Sequence, residues 1–127
     1  MGSMKTSLLS LPLLIAGLLP AQAGEQDTTR IFASCAGRLS ALMEFQWLTG
    51  EGDANATEAR RATVLELLEA AMLPGEEREM LALRIAAKQA HAVLLTRALF
   101  NEDAADAAWA ADLAAEHQGS CLAFLLS

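Results

Sequence analysis

The chain contains no tyrosine, few other aromatic residues and few β-branched residues. Strands favour those residue types, so their scarcity argues against a protein built on β-sheets. Alanine, leucine and glutamate are abundant instead, and all three are good helix formers. The composition therefore predicts an all-α fold throughout the folded part of the chain.

Motifs that carry catalysis or attach a cofactor are also absent from the sequence. It contains no phosphate-binding loop, no HExxH zinc motif, no haem-attachment CxxCH and no nucleophile motif. Helical di-iron proteins need Glu-x-x-His pairs, but Glu44, Glu66 and Glu69 have no histidine three residues later. We therefore expect a non-enzymatic protein that carries no cofactor.

Basic residues are scarce relative to acidic ones. The chain has 16 Asp and Glu against 9 Lys and Arg, for a net charge of −7. Nucleic acids and anionic lipids are bound through cationic patches, which such a composition does not favour. We expect no nucleic-acid partner, and no membrane association once the N-terminal segment has been removed.

That N-terminal segment has the pattern of a secretory signal. Lys5 precedes a mostly apolar run over residues 8–19, and Ala21-Gln22-Ala23 supplies a small-x-small cleavage site. The run is shorter than the roughly 20 apolar residues that a membrane-spanning helix needs. We predict a signal peptide over residues 1–23, of which residues 1–3 are a cloning remnant. An uncleaved membrane anchor is the alternative.

Residues 24–127 are predicted to form a single helical domain in the periplasm or outside the cell. These compartments are oxidising, so the two cysteines of the domain are expected to pair. A zinc site would need two further ligands, and His91 and His117 do not have finger-like spacing. We therefore predict a Cys35–Cys121 disulfide.

Glycine, proline and asparagine divide the domain into four helical segments. The predicted helices cover residues 28–49, 56–73, 76–100 and 102–125. The expected N-caps are Asp27 or Thr28 for the first helix, Asn55 for the second and Asn101 for the fourth. Short connections make consecutive helices antiparallel, so the pattern predicts an up-down-up-down four-helix bundle stapled by the disulfide.

The first helix is predicted to have its apolar residues on one side. Its apolar side comprises Ile31, Phe32, Cys35, Leu39, Leu42, Met43 and Trp47. The residues of the opposite side are Gly37, Ser40 and Glu44. Gln46 lies in the middle of the apolar side and is expected to hydrogen-bond a backbone group or the region around His117. Trp47 and Trp109 are predicted to be core aromatics.

The third helix is apolar on two sides and carries a narrow polar strip of Arg84, Lys88 and His91. The first apolar side comprises Leu81, Ile85, Ala92, Leu95 and Leu99, and the second comprises Leu83, Ala87, Ala90 and Leu94. One side should be partly exposed, because a helix in a four-helix monomer buries only part of its circumference. We predict a partner-binding strip, with a homodimer as its simplest form, that consists of Leu83, Arg84, Ala87, Lys88, Ala90, His91 and Leu94. Alternatively, the polar strip forms ion pairs with Glu66, Glu69 or the acids of the fourth helix.

Two histidines and a glutamate raise the alternative of a metal site. Glu116 and His117 are adjacent, and His91 is the other histidine of the chain. In an antiparallel helix pair that turns near Asn101, the two histidines would differ in height by roughly 9 Å. We therefore expect no shared metal and predict that His117 is hydrogen-bonded within the core. Haem would need His117 or a methionine as its axial ligand.

These patterns predict a non-enzymatic exported protein that acts through its helix surfaces. Small disulfide-stapled helical bundles include immunity proteins, enzyme inhibitors and periplasmic chaperones, although that analogy concerns shape alone. The alternative function is the binding of a small ligand, a metal ion or haem within the bundle. In that case Gln46, His117 and the two tryptophans would line the cavity.

Overall fold

A computed structural model of the chain describes residues 21–126 and the isolated Gly2. Its helices are α1 (Ala21–Thr49), α2 (Ala54–Ala71), α3 (Glu77–Phe100) and α4 (Ala104–Leu126). They pack together as a four-helix bundle, and residues 21–126 contain no strand. The predicted all-α four-helix fold is therefore confirmed.

The predicted signal peptide lies outside the described residues, except for its last three positions. Those positions, residues 21–23, are helical and belong to α1. This helix therefore begins before the predicted start at Thr28. Within the part of the chain that the structure describes, no helix is long and apolar enough to cross a membrane.

Aspartates cap α2 and α4, in place of the asparagines expected from the sequence. Asp53 Oδ1 accepts a hydrogen bond from the backbone amide three residues later, at 3.0 Å. Asp103 Oδ1 accepts from the amides two and three residues later, at 3.0 and 3.2 Å. The predicted caps at Asn55 and Asn101 are wrong because both residue types cap helices equally well, so residue type alone did not decide between them.

The central helix of the bundle is α1, which contacts each of the other three helices. Its contact with α3 is the most extensive, and its contact with α4 is the smallest. The three core clusters are Cys35, Ala36, Leu39, Val64 and Cys121, then Ala41, Leu94, Leu95, Ala110 and Ala114, and finally Ala33, Leu68 and Met80. All three include residues of α1. Burial in α1 is not confined to its apolar side, since Gly37 and Ser40 on the opposite side are also buried.

Two polar side chains of α1, buried Ser40 and half-buried Gln46, have hydrogen-bond partners within the protein. Ser40 Oγ donates to the carbonyl of Ala36 at 2.9 Å and accepts from Arg61 Nε at 2.6 Å. Gln46 Oε1 accepts a hydrogen bond from the hydroxyl of Thr57 at 2.6 Å. The partner of Gln46 is therefore a side chain of α2, and neither a backbone group nor the histidine region.

A close approach of the α1 and α3 backbones explains why Gly37 is buried. A Cβ atom on Gly37 would lie 2.2 Å from the carbonyl oxygen of Arg84 and 3.0 Å from the amide nitrogen of Lys88. Beside this contact, Lys88 Nζ pairs with Glu44 Oε1 at 2.6 Å. Any side chain at position 37 would push the two helices apart, so the packing of α1 against α3 requires glycine there.

The predicted disulfide is present and joins Cys35 of α1 to Cys121 of α4, with 5.5 Å between their Cα atoms. Both residues are buried. Because α1 begins at Ala21, Cys35 lies near the middle of that helix rather than near its start. The disulfide therefore ties the last turns of α4 to the middle of the central helix, across the smallest of the α1 contacts.

Both tryptophans are exposed, which contradicts their prediction as core aromatics. The exposed fraction is 55% for Trp47 and 53% for Trp109. Both lie within about two turns of a helix end, where neighbouring helices cover less of the surface. The guanidinium of Arg97 lies 5.1 Å from the centre of the Trp109 ring, a distance typical of a cation–π contact.

Candidate functional site

The partner-binding strip predicted on α3 does not form one exposed surface. His91 and Leu94 are buried within the chain, with exposed fractions of 1% and 9%. The half-buried members are Leu83, Arg84, Ala87 and Lys88, and the exposed member is Ala90. The exposure implied for His91 and Leu94 is therefore wrong, because α3 turns Leu94 towards α1 and α4. The binding role of the other members stays a prediction.

The more exposed apolar side of α3 is the one that contains Leu81, Ile85 and Leu99. Between Leu81 and Phe100, every exposed residue of the helix is uncharged. These residues, called the outer α3 face below, are Leu81, Ala82, Ile85, Ala86, Gln89, Ala90, Ala92, Val93, Thr96, Leu99 and Phe100. At a rise of 1.5 Å per residue, the face extends for about 28 Å along the helix.

The polar strip of α3 does not form the ion pairs suggested by the sequence. Lys88 pairs with Glu44 of α1 rather than with Glu66 or Glu69 of α2. The reason is that α3 packs mainly against α1 and α4, whereas α2 packs mainly against α1. The other ion pairs among the described residues are Arg30–Glu79 and Arg97–Asp106.

The two histidines lie next to each other, contrary to the height estimate made from the sequence. The centres of the His91 and His117 rings are 6.3 Å apart. The rise of the backbone alone does not set this distance, because helical side chains tilt towards the N-terminus of their helix. In this antiparallel pair the tilt moves His91 away from the α3–α4 connection and His117 towards it, so the gap closes. Among the side chains that the structure describes, no three from His, Cys, Asp or Glu converge to hold a metal ion.

His91 occupies an environment that disfavours its protonated form. Gln118 Nε2 lies 3.3 Å from His91 Nε2, and His91 Nδ1 is buried without a hydrogen-bond partner. Burial, followed by the positive fields of His117 and Arg38, lowers the pKa of His91 to about 4. Burial and Arg38 also lower the pKa of His117, while Glu116 acts in the opposite direction. His91 is therefore uncharged at neutral pH.

Acidification is expected to destabilise the protein through His91. A histidine in the unfolded chain has a pKa near 6.5. Between about pH 6.5 and the folded-state pKa of about 4, the unfolded state therefore binds more protons than the folded state. The free energy of unfolding falls as the pH drops through this window, by at most about 1.4 kcal/mol per pH unit from this residue. Urea unfolding at several pH values from about 7 to 4.5 measures the slope.

The variant His91→Leu should remove most of that slope, because leucine fills the buried site without titrating. His117→Gln is the matched control, since His117 is only half-buried and should contribute less. Equal slopes in the wild type and in His91→Leu would show that His91 is not the destabilising group.

A cleft of about 560 Å³ lies between α1, α3 and α4 and is called the α1–α4 cleft below. Its α1 wall includes Ile31, Ser34 and Arg38, and the opposite side includes Leu83 of α3 and Phe124 of α4. The cleft exists because α4 contacts little of α1, which leaves part of the N-terminal half of α1 uncovered.

Sequence reasoning did not identify this cleft. The residues proposed to line a cavity, namely Gln46, His117, Trp47 and Trp109, are not among its lining residues. Spacings of three and four residues do place Ile31, Ser34 and Arg38 on one side of a helix. This spacing does not by itself indicate a cleft, because Ile31 also belongs to the apolar side predicted for the first helix.

Comparison of the chain with protein-family models, curated proteins and solved structures found no match. No relative therefore assigns a function to the outer α3 face or to the α1–α4 cleft. The function proposed below is therefore based on the chemistry of these two surfaces.

Proposed function

We propose that this protein is exported and acts without catalysis, by binding a protein partner through the outer α3 face. The observation that carries the proposal is the scarcity of charge along this exposed helix surface, where the half-buried cation Arg97 is paired with Asp106. Single exposed apolar side chains are ordinary, whereas a contiguous apolar surface marks an interaction site. Leu81, Ile85, Val93 and Phe100 are between 48% and 68% exposed, so a partner could bury a large apolar area there.

The proposed location is the periplasm or the extracellular space. The sequence has the pattern of a signal peptide, and a buried disulfide is typical of proteins in oxidising compartments. An immunity, inhibitor or chaperone-like role is compatible with this location, and each of these roles consists of binding another protein.

The surroundings of the outer α3 face indicate which partner would fit. Helical spacing places Arg84 and Lys88 along one border of the face, next to Leu81 and Ile85. An amphipathic helix with an apolar stripe and an acidic edge would match both the face and this border. A second copy of the chain, related by a two-fold axis, is the alternative partner.

The variant Ile85→Glu is expected to abolish binding, because it would bury an unpaired charge in the interface. Ile85 is half exposed in the free protein, so the variant should fold. Leu48→Glu is the matched control, since Leu48 is exposed at the end of α1 and lies outside the face. Cross-linking in the native periplasm identifies a partner, and sedimentation velocity detects a second copy.

The proposal requires a cross-linked partner or a dimer that persists in Leu48→Glu and is lost in Ile85→Glu. A monomeric wild type whose cross-linked proteins are unchanged in Ile85→Glu would rule it out. A charge at Leu94 would be a poor test, because that residue is buried and its substitution would unfold the protein.

A further inference from the structure

We infer that the α1–α4 cleft binds a small amphiphilic anion, with the charged group held by Arg38 and the apolar part against Ile31, Leu83 and Phe124. This site is separate from the outer α3 face, and its ligand does not depend on the partner proposed for that face. A volume of about 560 Å³ is within the range of small-molecule sites in proteins.

Arg38 is the residue that selects for an anion. It is half-buried, and burial lowers the pKa of its guanidinium. Among the side chains that the structure describes, no acidic one pairs with it, whereas Arg30, Lys88 and Arg97 each have an acidic partner. A partly desolvated cation without a counter-ion is unfavourable, and a bound anion would supply the missing charge.

Neighbouring groups extend the binding site around Arg38. Ser34 lies four residues earlier on the same side of α1, so its hydroxyl can donate to the same anion. The positive field of Arg38 acts on both His91 and His117. Both histidines are uncharged when the pH is above their lowered pKa values. A histidine side chain carries no negative charge, so this pair does not compete with an anionic ligand for the guanidinium.

The apolar part of the ligand would occupy the other end of the cleft. Ile31 and Phe124 are partly exposed there, and Phe124 packs edge-to-face against Phe32 with 6.2 Å between ring centres. Asp27 also lines the cleft, but it lies eleven residues before Arg38, or about 16 Å along the helix. That separation exceeds the Debye length of about 8 Å at physiological salt, so Asp27 repels an anion at Arg38 only weakly.

Isothermal titration calorimetry with decanoate, below its micelle concentration, tests the proposal. Decanol is the neutral comparison, because it has the same chain without the charge. We expect decanoate to bind at least tenfold more tightly than decanol, and Arg38→Met to weaken decanoate binding at least tenfold. Arg60→Met is the matched control, since Arg60 is exposed on α2 and does not line the cleft.

A second variant covers the case in which Arg38→Met does not fold. Ile31→Glu places a negative charge on the partly exposed apolar wall and should also weaken decanoate binding at least tenfold. Ile85→Glu, on the outer α3 face, should leave decanoate binding unchanged, so the two proposals fail independently. The inference is overturned if decanoate does not bind, if it binds no better than decanol, or if Arg38→Met or Ile31→Glu folds and binds as the wild type does.

Discussion

Reduction of the Cys35–Cys121 disulfide is expected to lower the thermal unfolding midpoint by about 15 °C or more. The two cysteines are 86 positions apart in the sequence. A cross-link across a loop of that length stabilises a protein by roughly 4–5 kcal/mol, chiefly by restricting the unfolded chain. A domain of this size shifts its midpoint by roughly 4–8 °C for each kcal/mol. The loss of this stabilisation is a large part of the free energy of unfolding of a typical domain, which is about 5–15 kcal/mol.

The structure adds a local consequence of reduction. The contact between α1 and α4 is small, and the disulfide lies within it. The last turns of α4 should therefore separate first when the bond is broken. Hydrogen exchange of the amides around Cys121 is expected to accelerate more than that of the amides around Ala36, which lies in the middle of the central helix.

Circular dichroism melting with and without a reductant measures the shift in midpoint. The double variant Cys35→Ala/Cys121→Ala is the control for effects of the reductant, and it should melt at least as low as the reduced wild type. Thiol titration of the denatured but unreduced protein should find no free thiol. Two thiols per chain, or an unchanged midpoint after complete reduction, would refute this prediction.

The substitution Gly37→Ala is expected to destabilise the protein by about 1–3 kcal/mol, although alanine is the better helix former by about 1 kcal/mol. The added Cβ would lie 2.2 Å from the carbonyl oxygen of Arg84, and a backbone atom cannot rotate out of the way. The α1 and α3 helices would have to separate along their most extensive contact. The Lys88–Glu44 ion pair beside this contact should weaken as well.

Gly119→Ala is the matched control for Gly37→Ala. Gly119 also lies within a helix, but a Cβ atom there would meet nothing within 4 Å. This variant should stabilise the protein by up to about 1 kcal/mol through helix propensity alone. Urea unfolding of the two variants should therefore give changes of opposite sign. A stabilising Gly37→Ala would mean that α1 and α3 do not approach as closely as the structure shows.

The helices were predictable from the sequence because their formation depends largely on neighbouring residues. The third helix was expected at residues 76–100 and occurs at Glu77–Phe100. Its start and stop signals, Pro74-Gly75 before it and Asn101 after it, are all local. The α2 and α4 starts were displaced by two residues, since aspartate and asparagine compete as caps on equal terms.

The sequence by itself determined the four helices and the disulfide, because helix propensity is local and two cysteines allow a single intramolecular pairing. Only the tertiary structure decided which helix sides are buried. Periodicity showed two apolar sides on α3 but could not tell which one meets α1 and α4. Nor could it distinguish Gly37, which lies against the backbone of Arg84, from Gly119, which meets nothing. That difference depends on the position of another helix, which no local pattern in the chain records.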